Sequence, residues 1–310
     1  MCIAYIRFRP DQEAALFVAA NRDEFHARPT AFATRWEDLP DIIAGRDLEA
    51  GGTWLGINRQ SGVALITNIR NPLAIRNEAK SRGALVRNAL CWQARHHGFT
   101  PATLTEFIKE QGPLEKYNGF NLIFGDSKKL YYLANDALIK QIDAQQPAKY
   151  APYELSPGSY TLSNADLFTV WPKTKALGSS LDGIDLTAIS SSDLKHLESS
   201  TTQDFINLIF EKLANNQQAP DDLLPKTGVS DDLEKLLSSP FIISPDYGTR
   251  CSSIILHFKN GGSFMAERSF NPQGQAVHQV MFYQKDGIIV STKKDKAHLL
   301  LCPLSRSSNA

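Results

Sequence analysis

The cysteine directly behind the initiator methionine is the residue with the clearest potential for chemistry in this sequence. A small residue at the second position generally permits removal of Met1, which would leave Cys2 with a free α-amine. An α-amine titrates near pH 7.7–8.0, so part of it is unprotonated at neutral pH and can accept the proton of its own thiol. We therefore expect Cys2 to act as an N-terminal nucleophile. The alternative interpretation is a small apolar residue of a buried strand.

Four polar residues, Asn21-Arg22-Asp23-Glu24, follow the second apolar run of the chain. A cation near a thiol lowers its pKa, and a carboxylate can orient the neighbouring amine. On an extended strand Asn21 and Asp23 face one way, and the other two residues face the opposite way, so only one pair can face Cys2. We predict catalytic roles for Arg22, Asp23 and Glu24, and a substrate contact for Asn21. A solvated turn with an internal ion pair is the alternative.

Five later residues could complete an acyl-transfer site. Asn68 and Asn164 each end a strand-like run, where an amide can donate to the oxyanion of a tetrahedral intermediate, although asparagine is also a common turn residue. Tyr247 and Arg250 flank a strand start, and an arginine there can hold a substrate carboxylate or form a structural salt bridge. We predict catalytic roles for Asn68, Asn164 and Arg250. Trp54 and Tyr247 are predicted to contact substrate, with a place in the core as the alternative for Trp54.

The elements that must position these residues follow in groups rather than in alternation. Alternating apolar residues and turn signals predict a hairpin of Cys2–Phe8 with Ala14–Ala20, and then a meander of strands ending at Asn68. The remaining predicted segments are an irregular stretch at 28–40, helices at 84–97, 101–111, 191–198, 202–215 and 231–237, and strands at 118–125, 129–133, 160–164, 248–259, 263–268 and 279–284. Sequentially adjacent strands with grouped helices indicate an α+β fold. We expect one domain over residues 1–292 and a polar tail over 293–310.

Composition narrows the class of protein. The 310 residues are 42% hydrophobic and 21% charged, with 33 basic and 33 acidic side chains, which argues against a dedicated nucleic-acid binder. No stretch approaches the roughly 18 apolar residues of a membrane span, and nothing resembles a signal peptide. The four cysteines lie far apart without metal-ligand spacing, and the seven histidines form no HExxH or HxH pattern. We expect a cytoplasmic protein with reduced thiols and no metal. The oligomeric state does not follow from the sequence.

Seven motifs, in order over nearly the whole chain, resemble the NRDE family, which is also called the transport and Golgi organisation protein 2 family. The motifs are Met-Cys-Ile at the start, Ala19–Phe25 with Arg28-Pro29, Gly51–Gly56, Thr67-Asn68, Tyr117–Leu122, Leu162–Ala165 with Trp171-Pro172-Lys173, and Tyr247–Arg250. No single motif is decisive, but their succession is hard to obtain by chance.

That family looks like a branch of the N-terminal nucleophile (Ntn) hydrolases, near the cysteine-type penicillin acylases and bile-salt hydrolases. The resemblance implies a four-layer αββα sandwich of two antiparallel sheets between helices. It places Cys2 at the nucleophile, Asn68 and Asn164 (before Trp171) at the oxyanion donors, and Arg250 at the late arginine. In those amidases the acid stands three residues after an arginine, whereas Asp23 directly follows Arg22.

The function implied by this resemblance is hydrolysis of a non-peptide C–N bond, or of a thioester, in a small acyl substrate, without a cofactor. The alternative is a cytosolic carrier or chaperone of haem or an acyl compound, because members of this family are associated with haem trafficking and lipid metabolism. In that case haem would be a ligand in the same pocket. A purely structural or secretory-pathway role is a third alternative, and the chain has no membrane or coil feature to support it.

Overall fold

The computed structural model describes residues 2–135 and 151–292, and the backbone of the pair Leu299–Leu300. Most of the predicted polar tail, 293–298 and 301–310, lies outside the described residues. The pair Leu299–Leu300 forms a short strand that pairs with Ala31 and Thr30. Among the described residues, none of the helices combines the length and apolar character needed to cross a membrane.

Fifteen strands and six helices are found in the described part of the chain. The strands are β1 (Cys2–Phe8), β2 (Ala14–Phe25), β3 (Thr30–Arg35), β4 (Ile42–Asp47), β5 (Leu55–Asn58), β6 (Val63–Asn68), β7 (Phe120–Gly125), β8 (Leu130–Ala134), β9 (Tyr153–Glu154), β10 (Gly158–Leu162), β11 (Tyr247–Phe258), β12 (Ser263–Phe270), β13 (Ala276–Lys285), β14 (Ile288–Ser291) and β15 (Leu299–Leu300). The helices are α1 (Gly83–His96), α2 (Pro101–Gln111), α3 (Pro172–Asp182), α4 (Ser191–Leu194), α5 (Ser200–Leu213) and α6 (Asp231–Leu236).

The strands form two antiparallel sheets. The first sheet has the order β10-β1-β2-β11-β12-β13-β14, and the second has the order β15-β3-β4-β5-β6-β7-β8-β9. The predicted hairpin of β1 and β2 is confirmed, with Cys2 opposite Arg22 and Phe8 opposite Leu16. Because β2 also pairs with β11, and β1 with β10, the start of the chain lies inside the first sheet. Neighbours on both sides hold it there.

Three apolar cores separate four layers, α-β-β-α, as the resemblance implied. Between the sheets, the core includes Ala4, Ile6, Leu16, Val18, Ile57, Val63, Leu65 and Ile123. The outer core of the first sheet includes Ile3, Tyr5, Phe17, Leu177, Leu181, Ile206, Ile209 and Phe210. The outer core of the second sheet includes Ala64, Ile66, Leu85, Val86, Leu90, Phe107, Leu122 and Phe124. The two faces of β1 and of β2 from Leu16 onward therefore serve different cores, and the even-numbered apolar residues lie between the sheets.

Five elements were not predicted from the sequence. The segment expected to be irregular contains β3, the chain after Trp171 forms α3, and the short strands β9, β14 and β15 were not expected. Strand β2 also continues through the Asn21–Glu24 tetrad to Phe25 instead of ending at Ala20. The tetrad is therefore part of a sheet, flanked by β1 and β11, and the alternative of a solvated turn is wrong.

Candidate active site

Cys2 is the first residue of β1 and is half-buried. It shares the parity of Ala4, which lies in the core between the sheets, so its side chain points toward that space. Burial raises the pKa of its thiol, the charge of Asp23 raises it further, and Arg22 acts in the opposite direction. The thiol thus needs a local base to become a nucleophile near neutral pH.

Arg22 and Glu24 form the pair that shares a face with Cys2. Arg22 lies directly opposite Cys2 in the sheet and is 5% exposed. Its guanidinium stacks on the Trp54 ring at 4.2 Å, donates to Thr30 Oγ1 at 3.1 Å and lies 3.9 Å from the Glu24 carboxylate. This cation is held by an aromatic face, a hydroxyl and a carboxylate, which fixes its place beside Cys2.

A narrow pocket opens beside the thiol, between the two sheets. It is lined by Cys2, Ala4, Ala20, Asn21, Arg22, Trp54, Leu55, Leu65, Ile66, Thr67 and Ser253. The chain just before Trp54 packs closely against the start of α1, where a Cβ on Gly52 would lie 2.4 Å from the carbonyl carbon of Gly83. The cavity of about 10 Å³ has room for roughly one water molecule, so it can take only a small part of a ligand without rearrangement.

Asp23 approaches Cys2 around the end of the strand. Its side chain is 1% exposed and accepts a hydrogen bond from Thr249 Oγ1 at 2.7 Å. Its backbone N–H interacts with the thiol of Cys2. Burial raises the pKa of its carboxyl, while the charge of Lys173 and the hydrogen bond from Thr249 act in the opposite direction. Tyr247 lies within electrostatic range of both Cys2 and Asp23: burial, and then the charges of Asp23, Glu24 and Cys2, raise the pKa of its phenol.

Asn164 lies two residues beyond β10 and connects several parts of the site. Its Nδ2 donates to the backbone carbonyl of Asn68 at 3.0 Å. Its Oδ1 accepts from Lys173 Nζ at 3.2 Å. Ser163 Oγ lies 3.1 Å from this Oδ1 and 3.0 Å from the backbone carbonyl of Cys2, and its one hydrogen can be donated to either acceptor. These contacts fix the Asn164 amide with its donor end toward Asn68. Asn68 takes part through its carbonyl and is half-buried at the end of β6.

Lys173 and Arg70 are site residues that the sequence reasoning did not select. Lys173, on α3, is 3% exposed, and burial followed by the charge of Arg70 lowers the pKa of its ammonium to about 7. Arg70 forms a buried ion pair with Glu234, and Trp171 lies under both cations. The motif Trp171-Pro172-Lys173 was the only sequence signal for this cluster. Nothing local to Arg70 indicates a partner 164 residues away.

Two predicted site residues hold backbone in place. Asn21 faces the helix layer, where its Nδ2 donates to the carbonyls of Leu213 and Pro240 and its Oδ1 accepts from Ser252. Arg250 stands at the point where the β2–β11 register shifts, and it donates to the carbonyls of residues 25, 26 and 28. Their predicted roles in substrate contact and catalysis stay predictions, while these contacts give both of them a structural role.

The arrangement combines a half-buried thiol at a strand start, buried cations, a buried acid and an oriented amide. These groups lie together on a four-layer α-β-β-α sandwich of two antiparallel sheets, and the class of protein that they define is one with a buried polar site around a cysteine at the start of a strand. Among the residues that the structure describes, no group of three His, Cys, Asp or Glu side chains could hold a metal ion.

The chain belongs to the Transport and Golgi organisation 2 family, whose family model matches residues 1–272. It is 33% identical over 286 residues to the human Transport and Golgi organization protein 2 homolog, covering 87% of this chain and 93% of that protein. The mouse homolog is 34% identical over 280 residues, with the same coverage. The resemblance found in the motifs is therefore confirmed.

Solved structures with a similar chain trace include two acylases. The penicillin V acylase from Agrobacterium tumefaciens has a TM-score of 0.38 and 12% identity, covering 86% of this chain and 83% of that chain. A mutant of the conjugated bile acid hydrolase from Clostridium perfringens has a TM-score of 0.38 and 10% identity, covering 95% and 97%.

Proposed function

We propose that this protein is a cysteine hydrolase of the N-terminal nucleophile type. It would cleave a non-peptide C–N bond, or a thioester, in a small acyl substrate. The observation that carries the proposal is the position of Cys2, half-buried at the start of β1 and opposite the buried Arg22. Ser163 Oγ lies within hydrogen-bond distance of both the Cys2 carbonyl and the oriented amide of Asn164.

The first step requires removal of Met1. The α-amine of Cys2 then takes the thiol proton, and the sulfur attacks the substrate carbonyl carbon. Asp23, already in contact with Cys2 through its backbone and buried beside it, is assigned to hold the resulting ammonium. Because burial raises the pKa of the thiol, this internal base is needed at neutral pH.

The oxyanion that forms on the carbonyl oxygen is assigned to Asn164, with Asn68 beside it. Asn164 Nδ2 carries two hydrogens and gives one to the Asn68 carbonyl, so the second is the proposed donor. The ammonium of Cys2 then returns its proton to the leaving nitrogen or sulfur as that bond breaks. Water attacks the acyl-thioester on Cys2, which releases the acid and restores the thiol.

Release of a thiol or an aniline from activated acyl donors tests this proposal. Protein that begins at Cys2 is mixed with acyl thioesters of N-acetylcysteamine and with acyl anilides. We expect release by the native chain, none above background by Cys2→Ala, and an unchanged rate with Cys91→Ala. Cys91 is the matched control because it is also half-buried and burial also raises the pKa of its thiol.

The carrier alternative predicts another result in the same experiment. A carrier of haem or of an acyl compound would retain its ligand without release of a thiol or an amine, and Cys2→Ala would have no turnover to abolish. Equal release by the native chain and by Cys2→Ala would contradict the proposed hydrolase.

A further inference from the structure

Arg70 has an unusual set of contacts for a buried cation. Its side chain is 5% exposed, and Nη1 forms the ion pair with Glu234. Neither Nε nor Nη2 finds an acceptor within residues 2–135 and 151–292, and both atoms are shielded from solvent. A buried donor without an acceptor is unfavourable, so these two groups favour an acceptor brought by a ligand.

The two unpartnered groups point the same way. Nε–H and the outer N–H of Nη2 form one edge of the planar guanidinium, and this edge matches the two oxygens of a carboxylate. The opposite side of the guanidinium is already used by Glu234. Because Glu234 also accepts from the backbone and hydroxyl of Thr227, it cannot serve the unused edge as well.

A second buried cation lies against the same tryptophan ring as Arg70. Lys173 is buried, and its ammonium lies 5.8 Å from the centre of the Trp171 ring, while the Arg70 guanidinium lies 5.0 Å from it. Like charges in one buried site repel, and an anion between them relieves that repulsion. The cluster of Arg70, Lys173 and Trp171 thus favours a negatively charged ligand.

The cluster is joined to the candidate active site through Asn164. The backbone N–H of Arg70 donates to the Asn164 carbonyl at 2.8 Å, and Lys173 Nζ donates to its Oδ1 at 3.2 Å. Asn164 is the proposed oxyanion donor. A substrate whose reacting carbonyl meets Asn164 would therefore extend a further polar group toward Arg70.

Arg70 itself lies in a loop and not in a strand of either sheet. The segment from 69 to 79 contains a single short 3-10 turn, Pro72–Ala74, and Leu73 and Ile75 are exposed. Movement of this segment would therefore break no strand pairing.

We infer that Arg70 and Lys173 form a carboxylate subsite of the Cys2 site, so that the substrate is an acyl compound carrying a free carboxylate. This inference rests on the proposed function for its link to catalysis. The anion site itself can be tested by binding alone.

The binding test compares N-acetylglycine with its neutral amide. Each is titrated into native protein, Arg70→Lys and the control Arg46→Lys, and affinity is read from the rise in melting temperature. Arg46 is the matched control because it also stacks on a tryptophan, Trp36, and pairs with a carboxylate, Asp38. Arg70→Lys keeps a charge for Glu234 but loses the two-pronged edge.

We expect native protein and Arg46→Lys to bind the anion at least about tenfold more tightly than the amide, and Arg70→Lys to lose that preference. Equal affinity for the two probes in native protein, or a preference retained by Arg70→Lys, would overturn the inference. If Arg70→Lys does not fold, Lys173→Gln provides the same comparison, because glutamine can still donate to Asn164 without a charge.

Alkylation of Cys2 locates the subsite relative to the nucleophile. Iodoacetate and iodoacetamide differ mainly in charge, so the ratio of their rates at Cys2 reports an anion site within reach of the thiol. We expect Arg70→Lys to lower the iodoacetate-to-iodoacetamide ratio about fivefold or more, with no change in Arg46→Lys. An unchanged ratio in Arg70→Lys contradicts a subsite shared with Cys2. Absence of acyl transfer with these binding results intact would defeat the proposed hydrolase but not the anion site.

Discussion

The two faces of β2 at residues 21–24 have opposite roles. On the face toward the helices, Asn21 bonds the end of α5 and the carbonyl of Pro240. On the face between the sheets, Arg22 and Glu24 lie on the side of Cys2, with Trp54 under the guanidinium. One continuous strand therefore stabilises the fold with one residue and lines the candidate site with the next.

Asp23 is an exception to this division, because it lies on the helix face of β2 and yet contacts Cys2. By parity it belongs with Asn21, and its carboxylate bonds Thr249. Because Cys2 begins its strand, an acid on the far face can reach around that end, and the backbone N–H of Asp23 already contacts the thiol. At the end of a strand, a residue on either face of the sheet can therefore contribute to the site. Substitutions of Asp23, Asn21 and Glu24 separate the roles of the two faces, and a substitution of Lys173 tests the buried cation of the same site.

Asp23→Asn is expected to have the largest effect. The amide can still accept from Thr249, but it no longer carries the charge that holds the ammonium of the mature Cys2. We predict a fall in the rate of Cys2 acylation of about 100-fold or more, with little change in melting temperature. Stopped-flow acylation measures the rate, and Asp182→Asn, which alters the carboxylate bonded to Tyr5, is the control. A rate within about threefold of native would remove Asp23 from the mechanism.

Asn21→Ala should act on stability instead. It leaves two buried carbonyls and the Ser252 hydroxyl without their partner, at a cost of about 2–3 kcal/mol of unfolding free energy. Urea denaturation measures this cost, and acylation by the folded fraction should stay near native. A stable variant with slow acylation would instead support the predicted substrate contact.

Lys173→Met should change how stability depends on pH. In the folded protein the pKa of Lys173 is about 7, below its ordinary value of 10.5. Between these values the unfolded chain binds a proton that the folded chain does not, so stability rises with pH.

We therefore expect native protein to gain about 1 kcal/mol per pH unit relative to Lys173→Met between roughly pH 8 and 10. Denaturation at several pH values measures the difference between the two proteins, and Lys175→Met, at an exposed position, should follow the native curve. Parallel curves for native protein and Lys173→Met would show that Lys173 keeps its ordinary pKa.

Glu24→Gln is expected to have the smallest effect. The carboxylate is 23% exposed and lies 3.9 Å from Arg22, a geometry worth less than about 1 kcal/mol. We predict a change in acylation rate of less than about fivefold. A loss as large as that of Asp23→Asn would assign the orienting acid to the face between the sheets.

The sequence was sufficient to predict the β1–β2 hairpin, the meander to Asn68 and, through the family motifs, the layer order. It was not sufficient for β3, where Pro29 and Pro40 flank a strand and suggested an irregular segment. It also missed α3, whose Gly178-Ser179-Ser180 run has low helix propensity. Packing of α3 on β1 and β10 compensates for that low propensity.

The sequence predicted site residues only where several polar or nucleophilic side chains lie close together along the chain. Cys2 and the tetrad are adjacent to strand signals, and the strand parity correctly separated Arg22 from Asn21. Arg70, Lys173 and Glu234 are charged residues that are normally exposed, and they become a buried cluster only when distant segments meet. The periodicity of the sequence does not indicate that these three segments come into contact.

The most direct test of the central claim is the intact mass of the protein after exposure to an acetyl thioester. Protein that begins at Cys2 should gain one acetyl group, mapped to Cys2 and removed by hydroxylamine, whereas a chain extended by one residue before Cys2 should gain none. Equal acetylation of the two chains, or acetylation of Cys91 in place of Cys2, would contradict an N-terminal cysteine nucleophile.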